Sequence, residues 1–179
     1  MNRRNLLKGS AVVATALATH PIYSLAAAAN DVTPKLTALE RRHGGRLGVA
    51  VLDTGNGQRI AHRGDERFLI CSTFKLLLVA AVLGRVDRGT EQLDRRIVFD
   101  AETVLDWAPV AGLNIGPPGM SVQDLCEATL LMSDNTAANL LLKTLGGPAG
   151  LTAYARSLGD EMTRLDQFEP LNNDQHGEQ

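Results

Sequence analysis

A serine and a lysine three residues apart stand at the start of the most apolar stretch of the chain. Ser72 and Lys75 directly precede residues 76–83. If this stretch is a helix, positions i and i+3 share a face, so the hydroxyl and the amine can meet. A serine becomes a nucleophile when a base takes its proton, and a lysine that burial keeps neutral can be that base. The spacing indicates nucleophilic catalysis, and the simpler alternative is a capping serine beside a solvent-exposed lysine.

The element that must position this pair is a helix that we expect to be buried. Residues 76–83 are apolar on every side, which is typical of a core helix, and eight residues are too few to cross a bilayer. Gly89 is the expected stop. Because the pair lies in the first turn, unpaired backbone N–H groups beside Ser72 could hold a developing oxyanion.

The segment before this helix predicts a helix followed by a β-hairpin. Residues 33–44 have a proline in the first turn and a glycine at the end, as helices prefer. Residues 46–53 and 58–62 are typical of strands, and residues 54–57 between them form a Gly-rich turn. Two strands make a marginal sheet, and no later segment clearly adds a third.

The segment after it contains a long loop with the only tryptophan. Residues 100–120 are rich in proline and glycine, and Trp107 lies among them. Its ring either packs under the loop or forms an aromatic wall at the mouth of a pocket, and the sequence favours neither. Long loops in compact domains tend to be functional.

Three turn-forming residues interrupt the next helical stretch. Ser121 and Asp124 are spaced as a capping box for a helix that ends near residue 132, and residues 136–145 resume as a helix. Residues 133–135, Ser-Asp-Asn, would therefore place hydroxyl and amide groups at a junction between two helices, or serve simply as a capping turn. A further helix is expected at residues 149–158.

Composition and charge exclude several classes of protein. The 179 residues are 44% hydrophobic, with 18 basic and 20 acidic side chains and four scattered histidines. This mildly acidic balance, with no basic stripe, argues against nucleic acid or an anionic membrane as partner. No cluster has metal-ligand spacing, and no cofactor is expected. Cys71 and Cys126 are too few for a disulfide framework, and we expect two free thiols.

The first 29 residues are typical of an export signal. Arg3, Arg4 and Lys8 precede a small apolar run, and four alanines follow at residues 26–29. The paired arginines favour a twin-arginine signal, and an ordinary secretory signal is the alternative. Both predict a periplasmic or secreted protein without a membrane span once the signal is removed.

Taken in order, these motifs resemble the class A serine β-lactamases, whose signature includes Ser-x-x-Lys and Ser-Asp-Asn. The resemblance covers nearly the whole segment after the signal. It implies an α+β, multi-domain, β-lactamase/transpeptidase-like fold, in which the mostly helical domain is present and the α/β sheet domain incomplete. The expected divisions are 1–29 for the signal, 30–66 for a helix and hairpin of the α/β domain, and 67–179 for the helical domain. The similar stretches lie at 72–75, 81–87, 91–96, 132–142, 146–148 and 164–166.

What the resemblance implies is hydrolysis of β-lactam antibiotics by a monomeric enzyme that confers antibiotic resistance. Ser72 would attack the lactam carbonyl with help from Lys75, and Glu169 would activate the water that hydrolyses the acyl-enzyme. Ser133 would pass a proton to the leaving nitrogen. The implied catalytic residues are Ser72, Lys75, Ser133 and Glu169, and the implied substrate-binding residues are Asn135, Trp107 and Asn172.

Two departures from the family pattern leave other functions open. The stretch 169–172, Glu-Pro-Leu-Asn, is one residue shorter than the family's Glu-x-x-Leu-Asn, and the chain stops at Gln179 before any Lys-Thr-Gly motif. The sequence thus predicts a chain that is C-terminally truncated relative to the family. The alternatives are an inactive fragment and a penicillin-binding protein that is acylated without turnover.

Overall fold

The computed structural model describes residues 32–171. The chain divides between Gly64 and Asp65 into two units. The export signal and Asn172, predicted above to bind substrate, lie outside the described residues. Within the described range, no helix combines the length and apolar character needed to span a membrane.

The first unit is a helix and a hairpin, as the sequence predicts. Helix α1 is Thr33–His43, with Pro34 in its first turn. Strands β1 (Val49–Leu52) and β2 (Arg59–His62) pair antiparallel. None of the described residues of this unit is fully buried.

A polar cluster links α1 to the hairpin in place of an apolar core. The carboxylate of Glu40 accepts hydrogen bonds from the Leu47 N–H at 3.0 Å and from Arg63 Nε at 2.9 Å. His62 Nε2 lies 3.3 Å from the same carboxylate. The hydrogen bonds from Arg63 are the largest cause that lowers the pKa of Glu40 to about 2. The ionised carboxylate is therefore the form that holds this unit together.

The second unit is mostly helical. Within the described residues, two short strands, β3 (Arg96–Ile97) and β4 (Met120–Ser121), form a small antiparallel sheet of their own. A 3-10 turn, Cys71–Thr73, leads directly into the first helix. The elements are α2 (Phe74–Asp87), β3 (Arg96–Ile97), β4 (Met120–Ser121), α3 (Val122–Leu131), α4 (Asn135–Thr144) and α5 (Pro148–Ser157).

The core of this unit forms where α2 contacts α3, α4 and α5. Phe74 and Leu78 of α2 are completely buried, as are Leu125 of α3 and Leu141 of α4. The expectation that α2 is buried on every side is wrong, because Leu76 is 69% exposed. Helices α3, α4 and α5 pack against one face of α2, and an apolar composition alone does not specify how many faces will be covered.

Candidate active site

The amine of Lys75 lies at the centre of a group of polar side chains. Lys75 is 2% exposed at the start of α2. Its Nζ lies 3.4 Å from Ser72 Oγ and 3.1 Å from Ser133 Oγ. It also donates to Asn135 Oδ1 at 2.5 Å and lies 3.3 Å from Glu169 Oε1. The structure thus brings together four of the residues that the sequence assigns to catalysis and one that it assigns to substrate binding.

Ser72 is exposed and reaches Lys75 from the 3-10 turn rather than from the α-helix itself. The turn continues into α2 without a break, so the i, i+3 relation still holds. Cys71, the residue before Ser72, has a φ of 44°. A non-glycine residue in this left-handed region is strained, and such residues cluster at functional sites. No sequence signal indicated this backbone conformation.

The junction between α3 and α4 is both a capping turn and a site where polar side chains are presented, the two roles that the sequence left open. Ser133, with a φ of 52°, directs its backbone carbonyl and its hydroxyl to Lys75 Nζ, at 2.8 and 3.1 Å. Asp134 caps α4, because its Oδ1 accepts from the Ala137 N–H at 2.9 Å. The segment is therefore a capping turn that also presents two side chains, those of Ser133 and Asn135, to the lysine.

Asp134 has a structural role of its own, which its position in the sequence does not indicate. It is completely buried. Its Oδ2 accepts from the N–H groups of Val110 and Ala111, at 3.0 and 2.9 Å. These bonds attach the long loop to the junction. The sequence of the Ser-Asp-Asn turn does not indicate these bonds, because Val110 and Ala111 lie more than 20 residues from Asp134.

Trp107 stands at the surface beside the junction. Its side chain is 57% exposed, and its indole Nε1 donates to the carbonyl of Met132 at 3.0 Å. The Trp107 carbonyl accepts from the Asn135 N–H at 2.9 Å. A ring packed under the loop, one of the two alternatives, is wrong. The exposed ring next to Asn135 fits the aromatic wall instead.

Both oxygens of the Glu169 carboxylate have partners. Oε1 faces Lys75, and Oε2 accepts from the Leu171 N–H at 2.8 Å. The side chain is 7% exposed. Glu169 is therefore aimed at the lysine, and one of its two oxygens is bonded within its own short loop.

The described residues include no group of three or more His, Cys, Asp or Glu side chains placed to hold a metal ion. Cys71 and Cys126 are both free thiols. Burial is the main cause that raises the pKa of Cys126 to about 11, so this thiol is a packing residue.

A family model described as the β-lactamase enzyme family matches residues 31–179. A β-lactamase from Streptomyces fradiae is 49% identical over an alignment of 184 positions, gaps included, that covers 98% of this chain and 60% of that protein. β-Lactamase L2 from Stenotrophomonas maltophilia is 44% identical, with 94% of this chain and 58% of that protein covered. The chain belongs to the β-lactamase enzyme family. It spans about 60% of the length of these curated relatives.

Solved class A structures share the fold. An ancestral class A β-lactamase is 62% identical, with a TM-score of 0.76 over 78% of this chain and 53% of that one. A putative class A β-lactamase from Rhodopseudomonas palustris is 52% identical, with a TM-score of 0.75 and the same coverage. The predicted fold class, a β-lactamase-like α+β fold with its helical domain present, is confirmed.

The N-terminal segment matches a signal sequence of the twin-arginine translocation pathway over residues 1–20. The protein is therefore exported, and of the two signals that the sequence left open, the twin-arginine signal is the one that matches.

Proposed function

We propose that this protein is a serine β-lactamase that acts as a monomer on β-lactam antibiotics and so confers resistance to them. The observation that carries the proposal is the position of Lys75. Its Nζ is within 3.4 Å of Ser72 Oγ, Ser133 Oγ and Glu169 Oε1, the three groups that must exchange protons in such a reaction. The relatives are named β-lactamases, which supports the same activity. Because this chain spans only part of their length, the activity is proposed for it.

In the acylation step, Ser72 Oγ forms a bond to the lactam carbonyl carbon and the lactam C–N bond breaks. Lys75 must be neutral before it can act as a base, and Glu169 can accept the proton that a lysine ammonium gives up. The neutral amine then takes the proton of Ser72. Ser133 then protonates the leaving nitrogen and is resupplied by Lys75. The backbone N–H of Ser72 would stabilise the oxyanion.

In the deacylation step, Glu169 would remove a proton from the water that attacks the acyl-enzyme. Asn135 and Trp107, beside the lysine and at the surface, would contact the substrate. Asn172 is proposed to bind substrate on the family resemblance alone.

The bond between Glu169 Oε2 and the Leu171 N–H favours a second candidate function. One oxygen of the proposed base is already engaged, so orientation of the water would depend on the other, which faces Lys75. A protein with this arrangement would be acylated at Ser72 and would release the product slowly. It would then act as a penicillin-binding protein.

The experiment is the intact mass of the purified protein at several times after addition of benzylpenicillin, with penicillin concentration followed in parallel. A transient adduct with continued consumption supports the hydrolase, and a lasting adduct supports the penicillin-binding protein. Ser72→Ala should form no adduct. Glu169→Gln, which keeps the size of the side chain, should slow loss of the adduct by roughly 10²–10⁴-fold. Absence of any adduct together with an unchanged penicillin concentration refutes both candidates and leaves a protein with no catalytic function.

A further inference from the structure

A surface cavity lies between the turn that joins α4 to α5 and the segment that precedes Glu169. Its volume is about 850 Å³, within the range of about 300–1,000 Å³ that is usual for small-molecule sites. None of the side chains grouped around Lys75 lines it, so it is separate from the candidate active site. The lining residues that bear on what it could bind are Lys143, Pro148, Arg156, Arg164, Leu165 and Phe168.

The charged part of this lining is mostly basic. Three bases, Lys143, Arg156 and Arg164, line the cavity with one acid, Asp166, which gives a net formal charge of +2 in a chain whose formal charge is −2. Arg164 Nε lies 3.1 Å from Asp166 Oδ2, so this pair neutralises one of the three bases at most. An excess of positive charge on a concave surface attracts anions.

Arg156 is held in position by neutral groups. Its Nη1 donates to the carbonyls of Asp160 and Thr163, at 2.6 and 2.7 Å. The Asp160 carboxylate instead accepts from the backbone N–H groups of Met162 and Thr163, each at 2.9 Å. Carbonyl acceptors orient a guanidinium without cancelling its charge, and two bonds leave three of its five N–H groups for a ligand.

The N-terminus of α5 opens on the same cavity. Gly147 is the N-cap and has no side chain to bond the first N–H groups of the helix, and Gly147, Pro148 and Ala149 all line the cavity. A helix N-terminus carries a partial positive charge. It therefore adds to the field of the three basic side chains.

The other wall of the cavity is apolar. Phe168 is 37% exposed, and its Cζ lies 3.3 Å from the point where a Cβ on Gly147 would stand. The ring thus packs against the turn before α5 and leaves part of its surface uncovered. Pro148 and Leu165 extend this wall. An apolar surface beside a few charged groups is the usual composition of a site for an organic ligand.

We propose that this cavity is a binding site for organic carboxylates with an apolar body. The carboxylate would lie among the three bases, because arginine presents paired N–H groups that match its two oxygens. The apolar body would lie against Phe168 and Leu165. The site does not depend on the proposed function, since none of its residues takes part in the serine chemistry.

Titration of the full chain with 2-naphthoate, followed by backbone amide NMR shifts, tests the site. The shifts should saturate and be largest at Gly147, Ala149 and Phe168. 2-Naphthamide, which has the same shape without the charge, should bind at least about tenfold more weakly, the factor for one hydrogen bond to a charged group. Acetate, the carboxylate without the apolar body, should also bind more weakly. The proposal is wrong if naphthoate gives no saturable shift, if the shifts lie elsewhere, or if either analogue binds as tightly.

Charge variants separate this site from general attraction of anions. Lys143→Gln should weaken naphthoate binding by about two- to fivefold, as expected for an exposed ion pair. The matched control is Lys35→Gln, the same substitution at an exposed lysine of the first unit, which should bind like the parent. Asp166→Asn removes the acid from the lining and should strengthen binding by a similar factor, a result that misfolding cannot produce. Equal weakening in the two lysine variants, or weaker binding in Asp166→Asn, would overturn the proposal.

Discussion

Replacement of Asp134 by alanine should destabilise the protein more than any exposed aspartate could. Its carboxylate is completely buried and accepts three N–H groups, from Val110, Ala111 and Ala137, at 3.0, 2.9 and 2.9 Å. The alanine variant leaves two donors, at Ala111 and Ala137, buried without a partner, while the half-buried Val110 N–H can reach water. At about 1–3 kcal/mol for each buried unsatisfied donor, the free energy of unfolding should fall by about 2–6 kcal/mol. That is a large part of the roughly 5–15 kcal/mol typical of a domain.

Urea unfolding at neutral pH, followed by circular dichroism, measures this loss. The matched control is Asp100→Ala in the same loop, because Asp100 is exposed and accepts from the Thr103 N–H at 3.0 Å and hydroxyl at 2.7 Å. Its loss should be clearly smaller, because an exposed cap leaves its donors open to water. Trp107, the only tryptophan, reports on release of the loop through its fluorescence. Equal losses in the two variants would refute the reasoning from buried donors.

Three further predictions concern other parts of the chain. Hydrogen bonds, first those from Arg63 and then those from Leu47 and His62, lower the pKa of Glu40 from 4.5 to about 2. The ionised form therefore stabilises the fold, and this contribution is complete above about pH 4.5 and lost as the pH falls towards 2. A pH series of unfolding should show that loss in the parent and not in Glu40→Gln. At pH 8, iodoacetamide should label the half-buried Cys71. Cys126, with its pKa of about 11, should stay unmodified until urea is added. Equal labelling of the two thiols, measured by mass spectrometry, would contradict this. Gly147→Ala should cost about 1–2 kcal/mol in urea unfolding, because the backbone there has a φ of 83°, and a neutral result would show that the strain is relieved locally.

The sequence predicted the parts of the site that depend on local periodicity. Ser72 and Lys75 meet because three residues of helical backbone bring their side chains to one face. Ser133 and Asn135 flank a turn between two helices, so their convergence follows from the chain direction. The position of Glu169 came from the family resemblance rather than from any pattern in its own segment.

The sequence could not predict contacts made by side chains with distant backbone. The Asn139 amide bonds the peptide groups of a residue 30 positions away, and a backbone partner leaves no trace in the residue types. The exposure of Leu76 was missed for a related reason, since it depends on which helices pack against α2. Such features require the tertiary arrangement and cannot be read from spacing.

The surroundings of Lys75 contain more oxygen atoms than the amine has hydrogens. Five oxygens from four residues lie within 3.4 Å of Nζ, and even an ammonium carries only three N–H bonds. At least two of these oxygens are therefore without a hydrogen from the lysine at any moment. A rotation about the terminal C–N bond changes which ones they are, with every heavy atom in place. The site is thus degenerate in its hydrogen positions, and protons can be reassigned among its groups without any movement of the backbone.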